Sequence, residues 1–143
     1  MPSRTLWVVS LSGLIPFLVC LAIAAWVPPL REAAVSTFLL YAALTLTFLG
    51  GARWGAELVR APDAPHVGRL IASAVPSTVA LLALLPQTPR VATFTLLTLS
   101  SVGQLVWDIR ASQQGILPSW NARLRTVMTA LGTACLLLIW RHL

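Results

Sequence analysis

The stretch FLGGARWGAE at residues 48–57 closes a long apolar run and decides how the chain folds. It brings two charged residues, one tryptophan and three glycines to the end of that run. Tryptophan and arginine are enriched where a helix leaves the hydrocarbon core of a bilayer, because their side chains reach the headgroup region. The stretch therefore predicts a transmembrane helix that ends close to Glu57.

The composition extends this prediction to the whole chain. Of the 143 residues, 57% are hydrophobic and only 10% are charged, whereas soluble domains carry about 25% charged residues. A bilayer solvates so much apolar surface, and a soluble fold of this size cannot bury it. All ten basic residues are arginines at the ends of apolar runs. Membrane topology and anionic lipids therefore explain the net charge of +6 better than nucleic acid does.

Five apolar runs predict an all-α integral membrane protein, a single transmembrane domain folded as a compact five-helix bundle. The predicted helices cover residues 6–27, 33–58, 68–86, 90–109 and 122–141. The first run resembles a signal peptide, but it is longer than a usual signal core, so we expect a retained helix with a kink at Gly13 and Pro16. The last three uncharged cores are shorter than the ~20 residues of a full crossing. Snorkelling arginines or local bilayer thinning would make up the difference.

The arginines predict the orientation of the bundle. Five spans put the termini on opposite sides, and the N-terminal side would then hold seven arginines against three on the other side. The seven are Arg4, Arg53, Arg60, Arg69, Arg110, Arg123 and Arg125, and the three are Arg31, Arg90 and Arg141. Because basic residues favour the cytoplasmic side, we expect a cytoplasmic N-terminus and a C-terminus on the opposite side.

Small residues in the 48–57 stretch predict close helix packing. Gly50, Gly51 and Gly55 lack a Cβ, and Gly51 and Gly55 are four residues apart, so they share one helix face. Ala52 and Ala56 extend that face by the same spacing. We expect a packing seam for another helix along it.

Charges at the ends of the second and fourth runs predict a structural polar cluster. Arg53, Glu57 and Arg60 share one helix face, and Gln104 and Asp108 share another. Both helices would run toward the cytoplasm, so Arg53 and Asp108 would reach a similar depth. We predict a contact between these two, directly or through Gln104. The alternative is two separate charges, each snorkelling to the interface.

Catalytic, metal-binding and cofactor-binding patterns are missing from the sequence. No acid lies near the middle of an apolar run, and neither His66 nor His142 has a second ligand at metal spacing. Cys20 and Cys135 fall within apolar runs, as small buried hydrophobic residues do. We therefore expect no enzyme activity, no catalytic residue, no metal and no cofactor.

A set of side chains near the run ends predicts contacts with anionic lipid such as cardiolipin. The set comprises Arg60, Arg69, Trp120, Arg123 and Arg125. Arginines that serve only to fix the topology would have the same distribution.

Several short motifs resemble a family of small multi-span membrane proteins that is classed as a domain of unknown function. They are GLIPF at 13–17, Tyr41, FLGGARWG at 48–55, Asp108 and PSWNARLRTVMT at 118–129. That family occurs in proteobacterial inner membranes and is similar to the mitochondrial transmembrane protein 69. The resemblance implies a five-helix layout in a bacterial inner membrane, and the link to mitochondria favours an energy-converting membrane.

Two functions of different classes fit these features. The first is a non-catalytic accessory or assembly subunit that packs against a larger inner-membrane complex, respiratory or photosynthetic. The second is a small carrier or a lipid- or quinone-binding protein, acting alone or as a homo-oligomer, with a cavity at helices broken by Pro16 and Pro76. A bare glycine or alanine face on the outside would favour the first function. An interior polar cavity that reaches Arg53 and Asp108 would favour the second.

Overall fold

A computed structural model describes residues 4–116 and 119–142, and in these residues it contains helices and no β-strand. Pro118, which opens one of the family motifs, lies outside the described residues. Six α-helices occur in the described chain, which confirms the all-α prediction. They are α1 (Arg4–Ser12), α2 (Ile15–Trp26), α3 (Arg31–Arg60), α4 (Val67–Ala83), α5 (Arg90–Gln113) and α6 (Ser119–Ile139). Short 3-10 turns cover Pro28–Leu30 and Trp140–His142.

Three helical stretches in the described chain are long and apolar enough to cross a membrane. They are Arg4–Trp26, Pro28–Arg60 and Trp120–His142. Helix α4 is apolar too, but shorter. The length and composition of these helices are those of a membrane protein.

The first predicted helix is divided between α1 and α2 at Gly13 and Leu14. The N–H groups of these two residues bond three residues back, to the carbonyls of Ser10 and Leu11, at 3.1 and 3.0 Å. Pro16 is the second residue of α2, and its ring and missing N–H prevent a regular helix from running through this point. The break thus falls where the sequence predicted a kink.

The chain groups into two compact units. One, unit 1, combines the chain up to Phe38 with the chain from Ser101 onward, and the other, unit 2, covers Leu39–Ser100. The sequence predicted a single domain, and that organisation stays a prediction.

Unit 1 is built on aromatic and aliphatic packing. Helix α2 packs against α6, and the rings of Phe17 and Phe38 meet edge to face with their centroids 5.0 Å apart. Ala24, Phe38 and Ile139 are completely buried. The Nε of Arg31 donates a 2.9 Å hydrogen bond to the carbonyl of Ala24, which satisfies one of the acceptors left open at the end of α2.

The helices of unit 2 meet at a close crossing and are also joined by a buried hydrogen bond. Helix α3 approaches α4 at Gly50, where an added Cβ would lie 2.5 Å from the carbonyl oxygen of Ser73. At the other end of α4, the buried hydroxyl of Thr93 in α5 donates to the carbonyl of Ala83 at 2.7 Å. Glycine is therefore required at the crossing, and the threonine closes the turn between α4 and α5.

Candidate functional site

The carboxylate of Glu57, near the end of α3, is the centre of a polar cluster in unit 2. Its side chain is only 5% exposed. Arg60, one turn later and the last residue of α3, donates from Nη2 to Oε1 at 2.7 Å and from Nε to Oε2 at 3.2 Å. The two residues thus form a bidentate ion pair within one helix.

The same carboxylate also reaches across the connection to α4. The backbone N–H of His66, the residue before α4, donates to Oε1 at 2.9 Å. From the first turn of α4, Arg69 Nη1 approaches Oε2 at 3.5 Å. The connection contains Pro62 and Pro65, which stiffen it and end the preceding helix. Glu57 therefore ties together the end of α3, the connection and the start of α4.

The Glu57 cluster, defined as Glu57, Arg60 and Arg69, carries one negative and two positive side chains. Arg60 is 41% exposed and Arg69 is 31% exposed, so the carboxylate is buried beneath guanidiniums that face outward. Asp63 is exposed in the connection, where solvent screens its charge. The cluster itself presents an excess of one positive charge.

A second buried acid, Asp108 of α5, lies in unit 1. Its side chain is 3% exposed, and its Oδ2 is 3.7 Å from Nε of Arg125 in α6, whose side chain is 17% exposed. Gln104, one helical turn before Asp108, is buried as well. A charge removed from solvent is costly unless it is compensated, and Arg125 supplies a compensating positive charge from α6.

The predicted polar cluster of Arg53, Glu57, Gln104 and Asp108 is divided between the two units. Arg53 and Glu57 lie one turn apart on α3 in unit 2, whereas Gln104 and Asp108 lie on α5 in unit 1. The contact between Arg53 and Asp108 stays a prediction.

Three of the arginines that the sequence assigned to lipid lie close to acids. Arg60 and Arg69 approach Glu57, and Arg125 approaches Asp108. Sequence reasoning missed the pairs of Arg69 and Arg125, and it missed the N–H of His66. One feature of the sequence could have indicated these pairs: Glu57 and Arg69 lie on either side of the connection between α3 and α4, and Asp108 and Arg125 lie on either side of the connection between α5 and α6.

The three glycines of the 48–57 stretch have different surroundings. Gly50 makes the close crossing with α4 described above. Gly51 and Gly55 are exposed, and a Cβ added to either would meet no atom of the described chain within 4 Å. Ala52 and Ala56 beside them are exposed too. The described part of the chain therefore leaves this predicted seam open.

The remaining predicted lipid contacts lie at the start of α6. Trp120 is partly exposed and Arg123 is exposed. Among residues 4–116 and 119–142, the His, Cys, Asp and Glu side chains form no group of three or more that could hold a metal ion.

The described chain is helical, and three of its helical stretches are long and apolar enough to cross a membrane. Its buried acids face arginines. These features are those of a small helical membrane protein. The chain belongs to the family described as "Protein of unknown function (DUF3429)", whose match covers residues 2–141. No curated protein and no solved structure matches the chain. The similarity to mitochondrial transmembrane protein 69 stays a prediction.

Proposed function

We propose that this protein is a non-catalytic accessory or assembly subunit that packs against a larger complex of the bacterial inner membrane, respiratory or photosynthetic. The observation that supports this proposal is a bare face of α3, formed by Gly51, Ala52, Gly55 and Ala56. All four residues are exposed, and open space surrounds the position of a Cβ at both glycines.

A bare small-residue face has a particular meaning within a lipid bilayer. Lipid tails are as apolar as leucine, so helices associate there through close van der Waals packing and not through burial of apolar surface alone. Glycines four residues apart let a second backbone approach closely. Because the described chain does not fill this face, a helix of another protein is the occupant we propose.

We further propose five membrane crossings, with α1 and α2 forming one and α3 to α6 one each. Helix α4 has 17 residues and therefore rises about 26 Å, close to the ~30 Å of the hydrocarbon core. Helix α5 has 24 residues, and its Thr95 hydroxyl donates to the carbonyl of Val91 in the same helix. Such internal bonds lower the cost of polar side chains in lipid.

The orientation that we propose places the N-terminus in the cytoplasm. Seven arginines against three support it, because basic residues are retained on the cytoplasmic side during insertion.

A pull-down from the native membrane tests the accessory role. The tagged full-length protein is extracted in mild detergent, and its partners are identified by mass spectrometry and by the optical spectrum of the sample. We expect stoichiometric recovery of a large complex, with haem or pigment absorption. Recovery of the protein alone, or with only lipid or quinone, would contradict the proposal and favour a carrier or ligand-binding protein.

Matched glycine variants test whether the bare face of α3 is the contact. The double variant Gly51→Leu/Gly55→Leu fills the face, and we expect it to lose the partner complex. Gly103→Leu is the control, because a Cβ at Gly103 in α5 also meets no atom of the described chain within 4 Å. If the double variant and the control recover equal amounts of the complex, the α3 face is not the contact.

A further inference from the structure

We propose that Arg60 and Arg69 form a binding site for the phosphate group of an anionic phospholipid, with Glu57 holding the two guanidiniums in position. This inference is independent of the accessory role. It selects two residues from the five that the sequence assigned to lipid, and it adds the group that organises them.

The two guanidiniums keep donors that Glu57 does not use. Arg60 bonds the carboxylate through Nε and Nη2, and Arg69 approaches it through Nη1. The residues described by the structure supply no acceptor for Nη1 of Arg60 or for Nε and Nη2 of Arg69. The Arg60 and Arg69 side chains are 41% and 31% exposed, so a ligand can approach them from outside. A guanidinium fork matches the oxygens of a phosphate.

The net positive charge of the cluster also favours an anion. One carboxylate compensates only one of the two guanidiniums. Helix α4 starts at Val67 after a residue that makes no side-chain cap hydrogen bond, so the positive end of its dipole adds to this excess. A phosphate between the two arginines would neutralise the excess and bond the unused donors.

The position of the cluster along α3 identifies the source of the phosphate. Arg60 is the last residue of a stretch long and apolar enough to cross a membrane, and Trp54, less than two turns earlier, is exposed. Exposed tryptophan at the end of an apolar helix is typical of the headgroup region. The phosphates of the surrounding lipids lie at that depth, so the lipid headgroup is the ligand that we propose.

The other arginines near helix ends do not offer the same geometry. Arg125 is only 17% exposed, and its Nε lies 3.7 Å from the buried carboxylate of Asp108. Arg110, in the last turn of α5, is exposed and has no ion pair among the described residues. The sequence did not assign it to lipid, so Arg110→Gln serves as a matched control that removes the same charge from an exposed position without touching the Glu57 cluster.

Lipid titration of the purified full-length protein tests the site. Native mass spectrometry measures the occupancy of phosphatidylglycerol, of phosphatidylcholine and, in a separate arm, of inorganic phosphate. We expect Arg69→Gln to weaken phosphatidylglycerol binding about fivefold, the effect of one arginine near an anionic surface, and Arg110→Gln to leave it unchanged. Arg69→Lys keeps the charge and the fold but loses the fork, so we expect a partial loss.

Four results would overturn the proposal. Equal losses in Arg69→Gln and Arg110→Gln would show a general charge effect, and equal binding of phosphatidylcholine would show that anionic charge is not recognised. Displacement of the lipid by inorganic phosphate at comparable concentration would make free phosphate the ligand. Unchanged affinity in Arg69→Lys and Arg69→Gln alike, with both proteins folded by circular dichroism, would place the lipid elsewhere.

Discussion

Gly50 and Gly51 are neighbours in sequence with opposite surroundings, and they provide the sharpest test at the scale of single residues. A methyl group at Gly50 would meet the Ser73 carbonyl at 2.5 Å, whereas at Gly51 it would meet nothing within 4 Å. We expect Gly50→Ala to destabilise the protein by about 1–3 kcal/mol through overpacking. We expect Gly51→Ala to stabilise it by about 0.5–1 kcal/mol, because alanine favours the helix.

Thermal unfolding in detergent measures both glycine variants. Cys20 and Cys135 are free and buried, so a thiol-reactive dye reports the loss of structure without added labels. Equal midpoints for Gly50→Ala and Gly51→Ala would mean that α3 and α4 do not cross at Gly50.

Glu57 is the second test at this scale. Glu57→Gln removes the charge that faces Arg60 and Arg69 and places an amide N–H₂ where one oxygen accepted hydrogen bonds. We expect a clear fall in the unfolding midpoint, because the guanidiniums of Arg60 and Arg69 then lose the negative charge that compensates them. Asp63→Asn is the control, since Asp63 is exposed, and we expect it to have little effect. A loss in Asp63→Asn as large as in Glu57→Gln would contradict a specific role for Glu57.

The sequence located the important residues of α3 but not their partners. Three glycines in six residues indicate close packing, yet only the backbone of the neighbouring helix decides which glycine it meets. The partners of Glu57 depend on how the Pro-containing connection folds back, because His66 is nine residues away and Arg69 is twelve. Spacing along one helix predicts the pair with Arg60 only.

The turn between α4 and α5 provides a test at the scale of whole elements. The buried hydroxyl of Thr93 donates to the Ala83 carbonyl at 2.7 Å, and this bond connects the end of one helix to the start of the next. We expect Thr93→Val to cost about 1 kcal/mol, because the shape is kept while the carbonyl loses its donor. Thr95→Val is the control, since the exposed Thr95 bonds only within its own helix. Equal unfolding midpoints for the two variants would show that the turn does not depend on this bond.

Helix ends were less predictable than helix centres. Helix α3 was predicted at 33–58 and covers 31–60, and α5 was predicted to end at 109 and continues to Gln113. Hydropathy marks the part of a helix that suits lipid, whereas backbone hydrogen bonds continue into polar residues such as Arg110 and Gln113 that favour helix. The division of the first run into α1 and α2 was foreseeable, because Gly13 and Pro16 are local signals.

The topology is a property of the whole molecule, and cysteine labelling tests it. In a Cys20→Ala/Cys135→Ala background, single cysteines replace Asp63, Gln87 and Gln114, which are exposed in the structure. With five crossings and a cytoplasmic N-terminus, a membrane-impermeant maleimide should label only the Gln87→Cys protein in spheroplasts. The Asp63→Cys and Gln114→Cys proteins should react only after lysis.

Other labelling patterns would exclude this topology. Labelling of Asp63→Cys and Gln114→Cys but not Gln87→Cys would invert the orientation. Identical behaviour of all three proteins would mean that α4 and α5 do not each cross the membrane.

Helices α3 and α4 differ greatly in length, and this difference affects how the surrounding bilayer fits the protein. The 30 residues of α3 rise about 45 Å, well beyond the ~30 Å of hydrocarbon. The 17 residues of α4 rise about 26 Å. In the five-crossing topology that we propose, a thicker membrane accommodates α3 with less tilt, but its hydrocarbon region extends past the ends of α4. The length of the fatty acyl chains therefore acts on two helices joined by one short connection in opposite directions.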